Sequence, residues 1–561
     1  MEYVVFAVVM LVLIVILMLK GLYDYKESEK RFIKKLYDEY GAFPQREYKP
    51  EQFANISHYF QKHKKGFYID DITWNDLNLD EVFKRMNYTH SSAGEEYLYH
   101  TLRKPCMEEK ELLRREEMIE YFRLHTDERV SYQFVFHTLG KMGKFSIYDY
   151  LDYLDQLGER KNLRHYFSLI LILLSIVGML INLPIGICAL VCVLIYNNIS
   201  YFKIKNEIEP YITSFAYIFR ILECVKKLQT KKTDILSSEF EILKRCSSSM
   251  NGYKRGSFLL MSGGRMSGSG SPLDLLLDFI RMGFHLDLIK FNQMLLEVRK
   301  HISEIDQMIT VLGRIETMIA IGEYRESLTT YAVPKFTEEL SIRADELYHP
   351  LLAEPVKNSF STDQSILITG SNASGKSTFL KTVALNAILA QTIHTCLAEQ
   401  YTGSLFRIVS SMSLKDDVQG GDSYYMVEIK AIKRIMDMVR EEGTPVLCFV
   451  DEVLRGTNTV ERIAASTQIL QSMTKQNCIC FAATHDIELT YLLENHYCNY
   501  HFSEEIEEND ISFNYKIMNG RAQTRNAIKL LGIMGYSPDI IKDAENMAEN
   551  FLKSGVWQAL D

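Results

Sequence analysis

The sequence predicts an α + α/β protein: a helical N-terminal part with a membrane anchor and a membrane hairpin, then a C-terminal P-loop α/β domain. Three observations predict it. Residues 366–378 read Ile-Leu-Ile-Thr-Gly-Ser-Asn-Ala-Ser-Gly-Lys-Ser-Thr, a match to G-x-x-x-x-G-K-[ST]. An apolar strand, Ile366 to Ile368, precedes the match, and a helix-like run, Phe379 to Leu389, follows it. The N-terminal part carries apolar runs at Tyr3–Leu19, Phe167–Ile181 and Leu183–Tyr196. Between these and the glycine-rich match, Phe215, Ile218, Leu222 and Val225 keep a helical stripe.

The glycine-rich stretch carries phosphate chemistry. Gly370 and Gly375 let the backbone turn tightly around Ser371, Asn372, Ala373 and Ser374, so that successive N–H groups can face phosphate oxygens. Lys376 is expected to reach the β- and γ-phosphates of ATP, and the Ser377 hydroxyl to sit on Mg²⁺, with Thr378 completing the match. The helix N-terminus behind the loop adds positive potential. Pro445 to Glu452 reads as a buried strand ending in two acids. Asp451 is expected to hold Mg²⁺ through its water shell, and Glu452 to polarise the attacking water. Asn477 to Asp486 is a further apolar strand, ending at His485. A strand-end histidine taken alone is a surface or capping residue; in this order of motifs His485 is expected near the γ-phosphate, at the carboxyl edge of a parallel sheet.

These motifs resemble those of the MutS family of ATPases, relatives of the ABC ATPases. The stretch 370–378 is similar to the family's G-P-N-x-G-G-K-S-T, and Asp416 to Glu428 to its D-D-x-x-x-G-x-S-T-F-M-V-E. Asp451 to Asn458 is similar to D-E-x-x-R-G-T-[ST], and Ala483 to Asp486 follows in order, all within about 120 residues. Departures are Ser371 for proline, Ser374 for glycine and Tyr424-Tyr425 for Thr-Phe. The resemblance implies an ABC-like domain that pairs with a second copy around ATP. It implies that Ser423 acts in trans on the partner's nucleotide and that Arg455 to Asn458 line the dimer interface. Asn358 is similar to a family position near the base, and the adenine contact is not placed.

Totals bound the rest. At 561 residues, several domains are expected, and 47% hydrophobic content suffices for large cores. The net charge of -9 gives no global attraction for nucleic acid. The ten cysteines are scattered without a C-x-x-C, as reduced structural thiols of a cytosolic protein. Tyr3–Leu19 reads as an uncleaved anchor rather than a signal peptide, because it lacks a basic n-region and a small-residue cleavage site. Lys20, Lys26, Lys30, Arg31, Lys34 and Lys35 follow it, so the N-terminus is expected outside and the ATPase domain in the cytoplasm, at the cell membrane. The two runs at 167–196, split by Asn182 and Pro184, read as a membrane hairpin or a buried helix pair. Basic residues at both ends, Arg160, Lys161 and Arg164 against Lys203 and Lys205, favour the hairpin.

The expected domains are an anchor at 1–22, a helical region at 23–164, the hairpin at 165–200, a lever at 201–335 and the ATPase at 336–555. Long helices are expected at Tyr211–Ser249 and Leu273–Ile321, with Gly283 and Gly313 as weak points. The segment Asp70 to Pro105 is similar to the start of the family's helical core. Set against the family, the chain is expected to lack the mismatch-recognition, connector and clamp domains. Lys226, Lys227, Lys231 and Lys232 read as a solvated face rather than a DNA site. The resemblance implies an ATP-hydrolysing, homodimeric membrane protein that moves a helical lever, with DNA binding related to mismatch repair retained in reduced form. The alternative is an ATP-driven membrane machine or scaffold acting on a protein or lipid partner.

Overall fold

The chain divides into a helical unit and a sheet-containing unit, and it contributes to each more than once. The first comprises Met1–Lys64, Met86–His100 and Glu117–Ser327; the second comprises Lys65–Arg85, Thr101–Glu116 and Leu328–Asp561. The computed structural model describes residues 2–143, 145–231, 233–254, 280, 282–371, 374–412, 424–454, 457–507, 510–522, 528, 531, 535–557 and 559.

The longer helices before the sheets are α1 (Glu2–Asp38), α2 (Ser92–Arg103), α3 (Glu109–Leu124), α4 (Thr126–Leu139), α5 (Leu163–Ile181), α6 (Leu183–Gln229), α7 (Ser237–Ser249), α8 (Leu286–Lys300) and α9 (Ile302–Glu326). The apolar run Tyr3–Leu19 lies within α1. α5 and α6 form an antiparallel pair that turns at Asn182, whose side chain accepts from the Ile185 N–H at 3.3 Å. Both helices are long and apolar enough to cross a membrane, over Leu163–Ile181 and Leu183–Glu209. At 19 residues, α5 spans about 28 Å, close to a bilayer's hydrocarbon thickness. Counting apolar residues alone gave shorter segments, because the helices continue through Arg164 at one end and past Tyr196 at the other. Leu180 and Ile181 at the turn are 85% and 84% exposed.

α6 continues without interruption into the core of the unit, where Phe215, Ile218, Leu222 and Val225 are fully buried along the expected stripe. The long helix expected at Tyr211–Ser249 is instead the second half of α6 followed by α7. A short 3-10 turn, Asp234–Leu236, separates them. Tertiary contacts hold that break: the Tyr132 hydroxyl donates to Thr233 Oγ1 at 2.9 Å, and Leu236 is fully buried. Within the segment expected as Leu273–Ile321, residues 280 and 282–284 are helical, the chain turns at His285 with φ +53°, and α8 and α9 follow, separated at His301, whose N–H closes the end of α8. Gly313 is no weak point: a Cβ there would lie 2.5 Å from the Ala93 carbonyl, so glycine is what lets α9 approach α2.

A buried carboxylate fixes the same contact. Glu316 on α9 accepts from the His90 N–H at 2.5 Å, the Ser91 N–H at 3.0 Å and the Ser91 hydroxyl. Burial raises its pKa from 4.5 to about 7 against these donors.

The second unit holds two mixed sheets. A four-stranded sheet has the order β1-β5-β2-β3, built from β1 (Lys335–Phe336), β2 (Ile342–Leu347), β3 (Asn358–Thr362) and β5 (Gln400–Gly403). A six-stranded sheet has the order β10-β9-β4-β8-β7-β6, built from β4 (Ser365–Thr369), β6 (Arg407–Ser411), β7 (Val446–Asp451), β8 (Cys478–Ala483), β9 (Tyr497–Glu507) and β10 (Asp510–Asn519). Its strands are parallel except for the β9/β10 pair. Every residue of β4, β7 and β8 is buried, as parallel strands covered on both faces require. Helices α10 (Lys376–Ile393), α11 (Tyr424–Arg440), α12 (Thr459–Thr474) and α13 (Pro538–Ser554) complete the longer elements. The segment that resembles a helical-core start docks on the edge strand β6. Thr73 Oγ1 accepts from the Ser410 N–H at 3.0 Å, and Asp76 accepts from the Ser410 hydroxyl and the Met412 N–H at 2.7 and 2.8 Å. Those bonds cover an edge that would otherwise present unpaired backbone groups.

The Glu316 environment predicts a pH effect. Its neutral form is favoured in the fold, so its contribution is complete below pH 4.5 and is lost as pH rises through about 7. The loss amounts to about 3 kcal/mol. Glu316→Gln should flatten the decline in thermal stability of the protein between pH 5 and 8; an unchanged decline would assign it to other groups.

Candidate functional site

The parallel register decides which side chains meet. Ile366 pairs with Phe481 and Ile368 with Ala483, while Asp451 pairs with Ala483 from the other side. The carboxyl ends of β4, β7 and β8 therefore lie side by side, and each continues into one of the motifs.

From β4 the chain enters the glycine-rich loop. Gly370 has φ +145° and Gly375 φ +107°, values that disfavour any side chain. A Cβ at Gly370 would lie 2.9 Å from Ser374 Oγ and 3.0 Å from the Phe502 carbonyl. Lys376 opens α10 and folds its ammonium back over the loop, donating to the Gly370 and Ser371 carbonyls at 2.9 and 2.7 Å. The Ser374 hydroxyl is buried with no hydrogen-bond partner among the described residues. Ser377 donates to Asp451 Oδ2 at 2.5 Å. Thr378 is exposed on the first turn of α10.

The acidic pair sits on a strained turn. Glu452 has φ +57° and Leu454 φ +59°, both left-handed and costly for residues with a Cβ. The Glu452 N–H donates to the Ala483 carbonyl at 2.9 Å, fastening this turn to β8. Its carboxylate lies 2.9 Å from His485 Nε2, and both side chains are partly exposed. That contact assigns the ring proton to Nε2, donating to the carboxylate. His485 is flanked by Asp486, which accepts from Arg462 Nε and Nη2 at 2.9 and 2.6 Å; the carboxylate holds the guanidinium above its usual pKa range.

These residues fit a magnesium nucleotide. The two glycines form a cradle that a Cβ would fill, Ser374 offers a buried unused hydroxyl, and Ser377 with Asp451 offers adjacent hard oxygen donors. The structure brings together Gly370, Ser371, Ser374, Gly375, Lys376, Ser377, Asp451, Glu452 and His485. Asn372, Ala373, Ser423, Arg455 and Gly456 lie outside the described residues. Asn458, expected at a dimer interface, caps α12 by accepting from the Glu461 N–H at 3.0 Å.

Sequence reasoning missed Tyr515. It sits at φ +52° in the irregular part of the β9/β10 pairing, with Cδ1 3.1 Å from where a Gly375 Cβ would be. Asn358 holds it there, donating to the Tyr515 carbonyl at 3.0 Å and accepting from the Ile517 N–H at 2.9 Å. A left-handed tyrosine leaves no mark in a sequence pattern. Among the sheet thiols, Cys448 is pushed up by its contact with Cys478, 3.6 Å away, and by burial, as an inert thiol would be.

Fold and site together define a parallel-sheet α/β domain with its chemistry at the carboxyl edge. Residues 366–552 match the family model MutS domain V. The chain is 29% identical over 251 residues to the DNA mismatch repair protein MutS of Thermus thermophilus, covering 44% of this chain and 30% of the relative. It is 28% identical over 289 residues to MutS protein homolog 4 of Homo sapiens, covering 48% of this chain and 30% of the relative. It is 29% identical over 276 residues to the DNA mismatch repair protein MutS of Thermotoga petrophila, covering 47% and 34%. The C-terminal part of the chain thus carries a region similar to MutS domain V, and the chain spans about a third of the length of the curated relatives it matches.

Asn358→Ala should remove both bonds that hold the Tyr515 bulge. The expected cost is about 1–2 kcal/mol, with faster hydrogen exchange at the Ile517 amide. Unchanged exchange there would show that the bulge is held by other contacts.

Proposed function

We propose that this chain is a membrane-associated MutS-family ATPase, acting as a homodimer that closes around ATP. The observation that carries the reading is the convergence of Lys376, Ser377, Asp451, Glu452 and His485 at one sheet edge. Lys376 exchanges its two carbonyl partners for β- and γ-phosphate oxygens, a short movement of the ammonium. Ser377 and Asp451 hold Mg²⁺, which when bound neutralises charge on the phosphate oxygens. Glu452 accepts a hydrogen bond from the attacking water and orients it in line. His485 fixes the rotamer of that carboxylate through its Nε2–H and stands within reach of the γ-phosphate. Ser423 of one copy completes the site of the other.

A membrane location rests on the α5–α6 hairpin and on the apolar run within α1, with the N-terminus outside and the ATPase domain cytoplasmic. The ATP cycle moves the lever formed by α6 and its partners. Its load is either DNA, as the names of the relatives suggest, or a membrane partner. The continuation of α6 from the hairpin into the unit's core favours the second: one helix, with Pro210 at the junction, links the apolar segment to the buried stripe.

ATP hydrolysis by the detergent-solubilised protein, with and without homoduplex, mismatched and branched DNA, separates the two loads. Stimulation by one DNA structure identifies DNA as the load; indifference to all, with no binding at low salt, assigns it to the membrane. Glu452→Gln should lower turnover by about 10²–10⁴-fold with nucleotide affinity nearly unchanged, whereas Lys376→Ala should lose affinity. An active Glu452→Gln enzyme would refute the assigned water-orienting role.

A further inference from the structure

At the base of the hairpin, α5 and α6 enclose a cleft of about 560 Å³ within the helical unit. Four basic side chains line it, Arg160, Lys161, Arg164 and Lys203, against the carboxylates of Glu159 and Glu207. Arg160 donates to Glu207 at 2.8 Å, and its buried Nε has no hydrogen-bond partner among the described residues. Lys161 and Glu159 stand 3.5 Å apart, 74% and 83% exposed, a pair that solvent screens almost entirely. Arg164 donates to the Tyr196 hydroxyl at 3.1 Å, and neither it nor Lys203 has an acidic partner among the described residues. The positive charge of the cleft is therefore only partly matched.

The surroundings change sharply in one direction. Toward the hairpin turn the surface is apolar, with Phe167 61%, Ile170 51% and Ile199 68% exposed. Tyr166, Tyr196 and Phe202 ring the level of the cleft, half exposed, where an aromatic belt marks a membrane–water boundary. A ligand seated here presents an anion to the guanidinium groups and a hydrocarbon chain to Ile199 and Phe167.

We propose that this cleft binds the phosphate of an anionic phospholipid headgroup in the bilayer that holds the hairpin. The proposal rests on the membrane reading above. Guanidinium groups suit phosphate because their planar donor pairs match its oxygens. Basic pockets between spanning helices on the cytoplasmic side recognise lipid headgroups on the same grounds. Glu207 tunes the site: it holds Arg160 in place and competes with the lipid for it.

The test uses the full chain reconstituted in phosphatidylcholine vesicles, with spin-labelled phosphatidylglycerol and phosphatidylcholine reporting the lipid fraction held at the protein surface. The native protein should prefer the anionic lipid by ~5–10-fold, and Arg160→Gln/Arg164→Gln/Lys203→Gln should reduce the preference to near unity. Glu207→Gln should raise it, a gain that misfolding cannot produce. Equal preference in the native protein, or one unaffected by these variants, overturns the proposal. Displacement of the lipid by inorganic phosphate at constant ionic strength would make the free ion the ligand and overturn the lipid assignment. Cys188 and Cys192, exposed on α6, separate this from failure of the membrane reading. Protection of both from a water-soluble maleimide in vesicles, read by peptide mass spectrometry, places the hairpin in the bilayer; full labelling sinks the membrane reading itself.

Discussion

The parallel pairing of β4, β8 and β7 is the constraint on which the candidate site depends. Parallel strands end together, so three loops from distant parts of the chain emerge at one edge. Gly370 comes from one, Asp451 and Glu452 from the second and His485 from the third. A shift of one residue in any of these pairings would carry every side chain to the opposite, equally packed face and move the loop that follows by about 3.3 Å. The fully buried strands make such a shift expensive, so the same apolar packing that stabilises the sheet also sets the spacing of the polar groups. Left-handed backbone at Glu452 and Leu454 is strain that this packing sustains.

In the helical unit the comparable constraint is the contact of α9 with the start of α2. Gly313 allows the approach, and Glu316 satisfies backbone donors that the approach buries. Burial and hydrogen bonding act in opposite directions on that carboxyl, and burial dominates. Along one helix the surface changes: the first half of α6 presents apolar side chains outward, and the second half buries its stripe.

Much of the site was legible because phosphate chemistry demands particular residues at fixed spacing. The G-x-x-x-x-G-K-S match, the Asp-Glu pair after an apolar strand and the strand-end histidine are local patterns, and the sheet brings them to one edge. The helix boundaries were less legible. The break between α6 and α7 follows no glycine or proline; it is held by Tyr132 and a buried Leu236, contacts that depend on residues far away in the chain. Gly313 read as a weakness because propensity weighs a residue against its own helix and not against the neighbour it admits. The docking of Thr73 and Asp76 on β6 joins residues more than 330 positions apart, and no local pattern announces it.

By itself the sequence determined the chemistry on offer: a glycine-rich loop, its lysine and serine, two acids, a histidine, and apolar segments suited to a bilayer. Composition and short spacing suffice for that, since each depends on the residues in one stretch. Tertiary structure alone decided which of these groups meet. It set the 2.9 Å pairing of Glu452 with His485, the Ser377–Asp451 contact, the left-handed Tyr515 beside Gly375, and the basic cleft between α5 and α6. Those depend on strand order, register and helix pairing, which the burial of distant apolar residues fixes only when the whole chain has folded.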